Sequence, residues 1–452
     1  MSQDPDVIIL GAGAAGLSAA VELSRAGLAV SVIEARNRIG GRIFTLRDPV
    51  CDAPIELGAE FIHGKPPEIW DLLRRNHLDA TEVDGDLWCV REGKLSTCNF
   101  FSEVDQLLEQ MDDRAPDQSF LEFLLHCCAK SKMSPTQTAK DWALGYVTGF
   151  HAADPAQISV HSLVKGLRAD EKIEGDRAFR IRSQGYEALL EIFRRELRAA
   201  SVSCQLDTVV TAIRWQAGNV ELSAHNHSGA ITMTVPRLLI TLPLSILQAS
   251  PEEPGAVRFF PDLPLQKQAA LSKLAMGKAI RVTLRFQQRF WDDLRPPHST
   301  ESKSLANMSF LLSHQDWFPT WWTTMPEQLP IITGWAPFRC AERLSGHSTD
   351  FIVDKSLYSL SCLLKVSKSE LESLLAHAYW HDWQSDPLSQ GAYSYVKTGG
   401  DGAQHALAAP VENTLFFAGE ATDTSGHNGT VHGAIGTGYR AAKQVLSTAA
   451  EN

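Results

Sequence analysis

The sequence predicts an α/β fold of two domains, and three observations carry that prediction. A short apolar run, Val7 to Leu10, enters Gly11-Ala12-Gly13-Ala14-Ala15-Gly16 and then an Ala/Leu-rich segment reaching about Ala26. A second apolar run, Ala29 to Ile33, ends on Glu34, which completes the order strand, glycine turn, helix, strand, acid. The length, 452 residues, exceeds what one ordinary core holds. Finally, Lys65 to Arg180 and Leu244 to Gly391 read as a separate block of helices and strands.

The opening unit is a Rossmann-like dinucleotide fingerprint in its required context. Gly11 allows the tight turn, Gly13 lets the backbone approach a pyrophosphate, and Gly16 lets helix and strand pack closely. The first turn of the helix (Gly13, Ala14, Ala15) offers free N–H groups and a positive dipole end to that pyrophosphate. Glu34 is placed to accept from both ribose hydroxyls, which argues against a 2′-phosphate there. Gly27 stops the helix.

The continuation, Ala35-Arg36-Asn37-Arg38-Ile39-Gly40-Gly41-Arg42, resembles the flavin amine oxidase family of monoamine oxidases, polyamine oxidases and the related histone demethylase. Pro54 to Gly64 (PIELGAEFIHG), Leu415 to Glu420 (LFFAGE) and Thr430 to Ala434 (TVHGA) extend the resemblance over essentially the whole chain. Phe150 to Ser159, broken at Pro155, is similar to a stretch of bacterial members of the family. The resemblance implies FAD, held along Ala35, Arg36, Gly41 and Arg42 beside the flavin and phosphates. It implies that Gly58, Ala59, Glu60 and Phe61 pass the flavin, and that Val210 and Thr241 lie near the adenine and nucleotide. Gly419 and Glu420 would meet the ribityl chain, and Thr430 and Val431 the pyrimidine edge at the start of a closing helix, Gly433 to Ser447. The domains would then interleave: 1–64, 183–243 and 392–452 for FAD, 65–182 and 244–391 for substrate.

Within those blocks, Lys65 to Arg180 reads as mostly helical: Pro67–Asn76, Glu103–Met111, Phe120–Lys132 and Thr136–Phe150. Further helices are read from Ser183 to Ala199, at Leu265–Met276 and at Ser367–Ala378. Strands are read at Val209–Arg214, Val220–Ser223, Ile231–Val235, Leu238–Pro243, Lys278–Phe286 and Ile331–Trp335.

Composition narrows the class. A 44% hydrophobic and 21% charged chain describes a soluble globular protein. The formal charge of −11, from 42 basic and 53 acidic side chains, disfavours nucleic acid or an anionic membrane and suits a cationic substrate. Eight scattered cysteines without C-x-x-C read as neither a disulfide framework nor a metal site, and fit a reducing compartment. The first strand begins within a few residues of Met1, and no apolar run reaches about 18 residues, so the expectation is a cytoplasmic protein without a membrane anchor. It is expected as a monomer or homodimer.

Oxidising an amine moves a hydride equivalent from the carbon beside nitrogen, and the nitrogen must be neutral to support the forming C=N. Such a site needs an apolar wall rather than a strong acid or base. By the resemblance, Trp383 and Tyr393 in Trp383–Tyr395 are that aromatic wall. Ala392 stands where monoamine oxidases carry the cysteine that anchors FAD, so FAD is expected to be non-covalent. Thr430 replaces the second aromatic wall and implies an open cage, as in polyamine oxidases. Arg281 occupies the position of the family lysine that holds a water at the flavin; arginine is a wider, fixed cation, and Lys278 points to the other side of a regular strand. His63 either bonds a distal amine or is an ordinary turn histidine, and Glu60 and Asp154 are candidate anchors for a second ammonium. No metal-ligand cluster is visible. The expected reaction converts a small amine, spermidine or spermine foremost, and O₂ to an imine hydrolysed to aldehyde and amine, with H₂O₂. The rivals are a monoamine or amino-acid oxidase, with Arg281 holding a carboxylate, and a flavoprotein dehydrogenase or binding protein with little oxidase activity.

Overall fold

In the computed structural model, residues 4–91, 93–127, 136–296, 303–314 and 317–449 are described. Five short strands form a wholly parallel sheet in the order Ser203–Gln205, Val30–Ile33, Val7–Leu10, Leu238–Ile240, Leu415–Phe417. The central strands are buried on both faces, as covered parallel sheets require, which is why they read as Val/Ile/Leu/Phe runs, with Ser31 the one polar residue. The fingerprint helix, Ala14–Arg25, lies between this sheet and the closing helix, Val431–Ala449. The two helices approach closely because their contact is made of small residues. A side chain on Gly438 would meet Ser18 Oγ at 2.1 Å and Ala15 O at 2.3 Å. Ser18 Oγ donates to Ile435 O at 3.2 Å, joining the two ends of the chain.

A second sheet holds the meander Val209–Gln216, Asn219–Asn226, Gly229–Val235 and, parallel to the first of these, Arg258–Phe260. A third, mixed sheet has seven strands in the order Leu375–Trp380, Ala279–Phe286, Ile331–Pro337, Thr320–Thr323, Met308–Leu312, Asp86–Arg91, Lys94–Thr97. A core rich in tryptophan and phenylalanine (Trp88, Trp291, Trp321, Phe286, Phe318) backs it.

The structure corrects the sequence reading at several points. The block 65–180 holds helices close to the four read from sequence (Pro67–Arg75, Phe100–Leu108, Phe120–His126, Gln137–Phe150), but it also contributes strands absent from that reading: Ala80–Glu82, the hairpin Asp86–Arg91/Lys94–Thr97, and Ala178–Ile181. Asp86–Arg91 finds its partner, Met308–Leu312, far downstream, and no local pattern announces that pairing. The helix read over Leu265–Met276 ends at Ser272, and Leu274–Met276 pairs with Ser394–Val396. Likewise Lys368–Leu374 is helical, but Leu375–Trp380 turns into an edge strand on Ala279–Phe286. The helix at Phe120 is described to His126; residues 128–135 lie outside the described residues. Cys89 and Cys98 form a disulfide across the hairpin, contrary to the expectation of free thiols throughout. No described helix is long and apolar enough to cross a membrane.

Asp48 fastens the hairpin Thr45–Arg47/Pro54–Glu56 to the seven-stranded sheet. Its fully buried carboxylate accepts from Val50 N (2.8 Å) and Cys51 N (2.9 Å) within the turn, and from Arg285 Nε (2.5 Å) and Tyr379 O–H (2.6 Å) on two sheet strands. Burial alone would raise this carboxyl, but the Tyr379 hydroxyl and the turn N–H groups outweigh it and hold it well below the usual carboxylate range. A depressed carboxylate stabilises fully above its unfolded value, near pH 4, and withdraws that stability as the pH falls below it. Asp48→Asn is therefore expected to lower stability by about 1.5–3 kcal/mol at neutral pH and to flatten the acid side of the Tm-against-pH curve. Thermal melts between pH 3 and 7 (a range set by that carboxylate value) check this.

Candidate active site

At the nucleotide end, the chain leaves donors and space uncommitted. No side chain caps the fingerprint helix at Gly13, and a Cβ built on Gly13 meets nothing within 4 Å. By contrast a Cβ on Gly16 would lie 2.0 Å from Gly11 O, so Gly16 is there for packing. Thr241 Oγ1 seals the turn by donating to Leu10 O (2.9 Å) and Gly11 O (3.1 Å). Gly41, at φ +58, brings the GGR turn within 3.4 Å of Gly13 Cα, measured from an added Cβ. Glu34 is buried, and accepts from Ala12 N at 2.8 Å on one oxygen and from Arg36 N at 2.9 Å on the other. Burial raises its carboxyl, against the pull of those N–H groups. The segment leading into Val210 runs alongside, with Asp207 N on Arg36 O (2.9 Å) and Thr208 N on Glu34 O (3.0 Å).

The Arg36 side chain does not join this group, and Ala35 beside it contributes only backbone and a methyl group. The Arg36 guanidinium makes a two-pronged bond to Asp386 (2.9 and 2.8 Å) and crosses over the Trp383 ring at 5.8 Å. It fastens the nucleotide strand to the Trp383 segment. Trp383 is fixed in turn by donating Nε1–H to Leu57 O at 2.7 Å, and its ring would meet a side chain on Gly58 at 3.4 Å. Ala59 N reaches Arg42 O at 3.2 Å.

Arg42 and Glu420 meet at 3.0 Å, and Arg42 also donates to Ala392 O at 2.7 Å. Glu420 is buried and accepts further from Ser394 Oγ (2.6 Å) and Gly429 N (2.9 Å), while Gly419 N donates to Thr437 Oγ1 (2.9 Å). Thr430 proves to be the N-cap of the closing helix, which begins at Val431. Its hydroxyl accepts from Gly433 N at 2.9 Å and donates to His427 O at 2.7 Å. Its place is thus explained by helix capping as much as by the openness of a cage.

Arg281 is 6% exposed and is already neutralised. It donates to Gly58 O at 2.7 Å and pairs with Glu60, which also receives Arg180 Nε at 2.7 Å and Trp322 Nε1–H at 3.1 Å. Burial would raise Glu60, but Arg281 and Arg180 hold it below its ordinary value. Two corrections follow from this network. Glu60 has no capacity left to anchor a substrate ammonium, and Arg281 has its charge met before any substrate carboxylate arrives. Lys278 pairs with Glu342 at 2.9 Å at the exposed side, as strand alternation requires. Asp154 likewise is no free anchor, since its oxygens take Ala156 N (3.0 Å) and Gln157 Nε2 (2.8 Å).

Tyr393, His63, Tyr146 and His151 gather around Phe150, each deep within the protein yet partly accessible. Phe61 and Phe150 complete the wall, at 6.2 and 5.0 Å from the His63 ring. Tyr393 donates its O–H to Phe150 O at 2.7 Å, and its ring packs on Gly429. Sequence reasoning singled out Tyr393 and His63 for the substrate side, assigned Phe61 to the flavin instead, and missed Tyr146, His151, Arg180 and Trp322. Tyr146 and Phe150 stand one helical turn apart, and that spacing reads equally well as ordinary core. One cluster of metal-ligand type does occur among the described residues, Asp117, His161 and Asp401. Its atoms are engaged with the protein itself: His161 with Asp401 (2.7 Å) and Ala115 O (2.8 Å), Asp117 with Ser159 (2.9 Å) and Gly399 N (2.6 Å).

An uncapped helix end beside open space at Gly13, an acid at the ribose position, and a buried Arg281 Nε–H without a partner suit a dinucleotide whose flavin end reaches the Gly58 segment. The comparisons agree. The chain matches the flavin containing amine oxidoreductase family over residues 14–111 and 128–446, and it belongs to that family. FAD is accordingly its cofactor, and Ala392 offers no sulfur for a covalent bond. A probable polyamine oxidase 4 of Arabidopsis thaliana is 26% identical over 466 residues, spanning 97% of this chain and 86% of that protein. A lysine-specific histone demethylase 1 homolog 2 of the same plant is 29% identical over 98% of this chain and 58% of its own length. In fold, the chain is similar to a wild-type putrescine oxidase bound to putrescine (TM-score 0.79, 19% identity, 98% of this chain and 99% of that one). It is also similar to cyclohexylamine oxidase from Brevibacterium oxydans IH-35A (TM-score 0.78, 20% identity, 99% and 100%).

Removing Glu60 would leave two guanidinium groups facing each other in the interior. Glu60→Ala is expected to cost about 3–5 kcal/mol, the range for breaking a buried ion pair. Urea unfolding of the variant against the parent measures it.

Proposed function

We propose that this chain is an FAD-dependent oxidase of di- and polyamines. The observation that carries the reading is the electrostatic character of the cluster that Tyr393, His63, Tyr146 and His151 form around Phe150. Burial pushes the His63 imidazole below its ordinary value and His151 down to about 4, so both are neutral near pH 7. Burial pushes the Tyr393 and Tyr146 phenols well above their ordinary value, so both keep their protons. The walls therefore carry neither a fixed cation to repel an amine nor a strong acid to hold its nitrogen protonated.

Bound FAD supplies the acceptor for the hydride equivalent, with O₂ as terminal oxidant and aldehyde, smaller amine and H₂O₂ as products. The protein's part is positioning. Tyr393, pinned through Phe150 O and Gly429, and Trp383, pinned through Leu57 O, are rigid aromatic surfaces between which an alkyl amine is oriented and water excluded. Polyamine oxidases among the relatives and the chain's acidic balance support a substrate with more than one ammonium.

Anaerobic addition of spermidine, spermine, putrescine, benzylamine and amino acids one at a time, followed by the visible flavin spectrum, tests the reading. Di- or polyamines should bleach the flavin at the lowest concentration. Bleaching by amino acids alone, or by nothing, would overturn it. Tyr393→Ala should slow bleaching by about a hundred-fold through misplacement of the substrate while FAD content is retained.

A further inference from the structure

The charges gathered beside the Gly58 segment do not balance. Arg281 and Arg180 both pair with Glu60, and among the described residues neither guanidinium meets another carboxylate. Burial would raise Glu60, yet the two arginines hold it below its ordinary value, so it is ionised, and arginine does not give up its proton. Glu56 is the other carboxyl whose charge reaches this knot. It accepts from Thr45 Oγ1 (2.6 Å) and Tyr186 N (2.7 Å), and burial pushes it up to about 8, so it is mostly protonated at neutral pH. Two guanidinium groups against one carboxylate leave one positive charge over.

Backbone contacts tie this knot to the nucleotide end. Arg281 donates to Gly58 O at 2.7 Å. Gly58 lies directly on Arg42, whose carbonyl oxygen would stand 1.8 Å from a Cβ on Gly58 and accepts from Ala59 N at 3.2 Å. Gly41, next to Arg42, comes against Gly13. A continuous path therefore runs from the helix end that suits a pyrophosphate, through the GGR turn, to the residue that Arg281 grips. There Arg281 Nε–H is buried with no partner, an orphan donor that calls for an acceptor. Arg180 has no such donor to offer. Its Nε is on Glu60, its terminal nitrogens are on Met325 O and Thr323 O (both 3.0 Å), and its guanidinium lies over the Phe61 ring at 4.7 Å.

We propose that the unbalanced charge of the Glu60–Arg180–Arg281 knot sets the reduction potential of the bound flavin, with Arg180 as a positioning residue that acts by its charge through Glu60 and Arg281. The proposal needs FAD in place and is independent of which amine is oxidised. A hydride equivalent carries two electrons and one proton from the amine carbon, so the ring system that accepts it gains one negative charge. A positive charge fixed beforehand in the protein favours that state. Glu60 and the carbonyls of Gly58, Met325 and Thr323 already hold the guanidinium groups, so nothing has to reorganise when the negative charge arrives. A lone Arg281–Glu60 pair would be neutral, and its field at a distance would largely cancel. The second arginine turns a structural ion pair into a net charge, and burial keeps that charge from being screened by water.

The test is the midpoint potential of the flavin in parent, Arg180→Gln, Arg180→Lys and Glu60→Gln holoenzymes, each equilibrated anaerobically with a dye of known potential during slow chemical reduction. No amine is needed. Arg180→Gln leaves Glu60 paired with Arg281, and should shift the equilibrium with the dye about ten-fold against the reduced flavin, the effect of one nearby charge. For a two-electron couple that is a potential lower by about 30 mV. Arg180→Lys should restore the parent value. Glu60→Gln, which removes the one negative charge, should move the potential upward. A merely structural knot would change FAD content or melting temperature in these variants, but would not move the potential in opposite directions. An unchanged potential in Arg180→Gln with FAD retained, or shifts of the same sign in Arg180→Gln and Glu60→Gln, would overturn the proposal and leave the amine reading as it stands. If Glu60→Gln does not fold, loss of the shift on restoring charge with Arg180→Lys decides the matter alone.

Discussion

The candidate site depends on one buried carboxylate, Glu60. It lies in the segment Gly58–Phe61 and draws onto itself Arg281 from one sheet strand, Arg180 from another, and the indole of Trp322 from a third. An arginine in the interior is tolerable only when its charge is met and its donors are used. Here Glu60, Gly58 O, Met325 O and Thr323 O use nearly all of them. The result is a cationic region whose geometry is set by the protein and not by its ligand. What remains is a single unpartnered donor, Arg281 Nε–H. The aromatic walls of Phe61 and Trp322 pack around the same network, at 5.6 Å from each other.

Much of this was legible in the chain, because glycine and charge leave distinct marks. Gly11, Gly13 and Gly16 signal their own backbone demands, and the central parallel strands announce burial on both faces by being almost wholly apolar. Arg281 and Thr430 stood out as departures at recognisable positions. Their partners did not. Nothing local connects Glu60 to Arg180 and Arg281, since the contact is made only once strands from distant parts of the chain are assembled. Thr430 reads as a missing aromatic, whereas its hydroxyl caps a helix, a role set by the three residues that follow it. The edge strand Leu375–Trp380 shows the same limit. Its residues continue a helical pattern, and pairing with Ala279–Phe286 overrides it.

Charge is partitioned rather than spread. The chain as a whole is acidic, at −11, while the walls around Phe150 are neutral at physiological pH. The formal charges nearest those walls sit in the cluster of Glu60 with Arg180 and Arg281 and in the Arg42–Glu420 pair. A cationic molecule is thus drawn toward the protein by its overall field and meets no fixed positive charge on the walls.

The contact between the fingerprint helix and the closing helix has a consequence for biosynthesis. Residues Ala14–Arg25 leave the ribosome long before the strand Leu415–Phe417 and the helix Val431–Ala449 that complete their surroundings. The sheet that carries the glycine turn cannot close before then, since one of its edges is Leu415–Phe417 itself. The sheet that frames the dinucleotide turn is thereby incomplete until Phe417 has emerged. A nascent chain must keep its Ala- and Leu-rich first helix covered by other means until then.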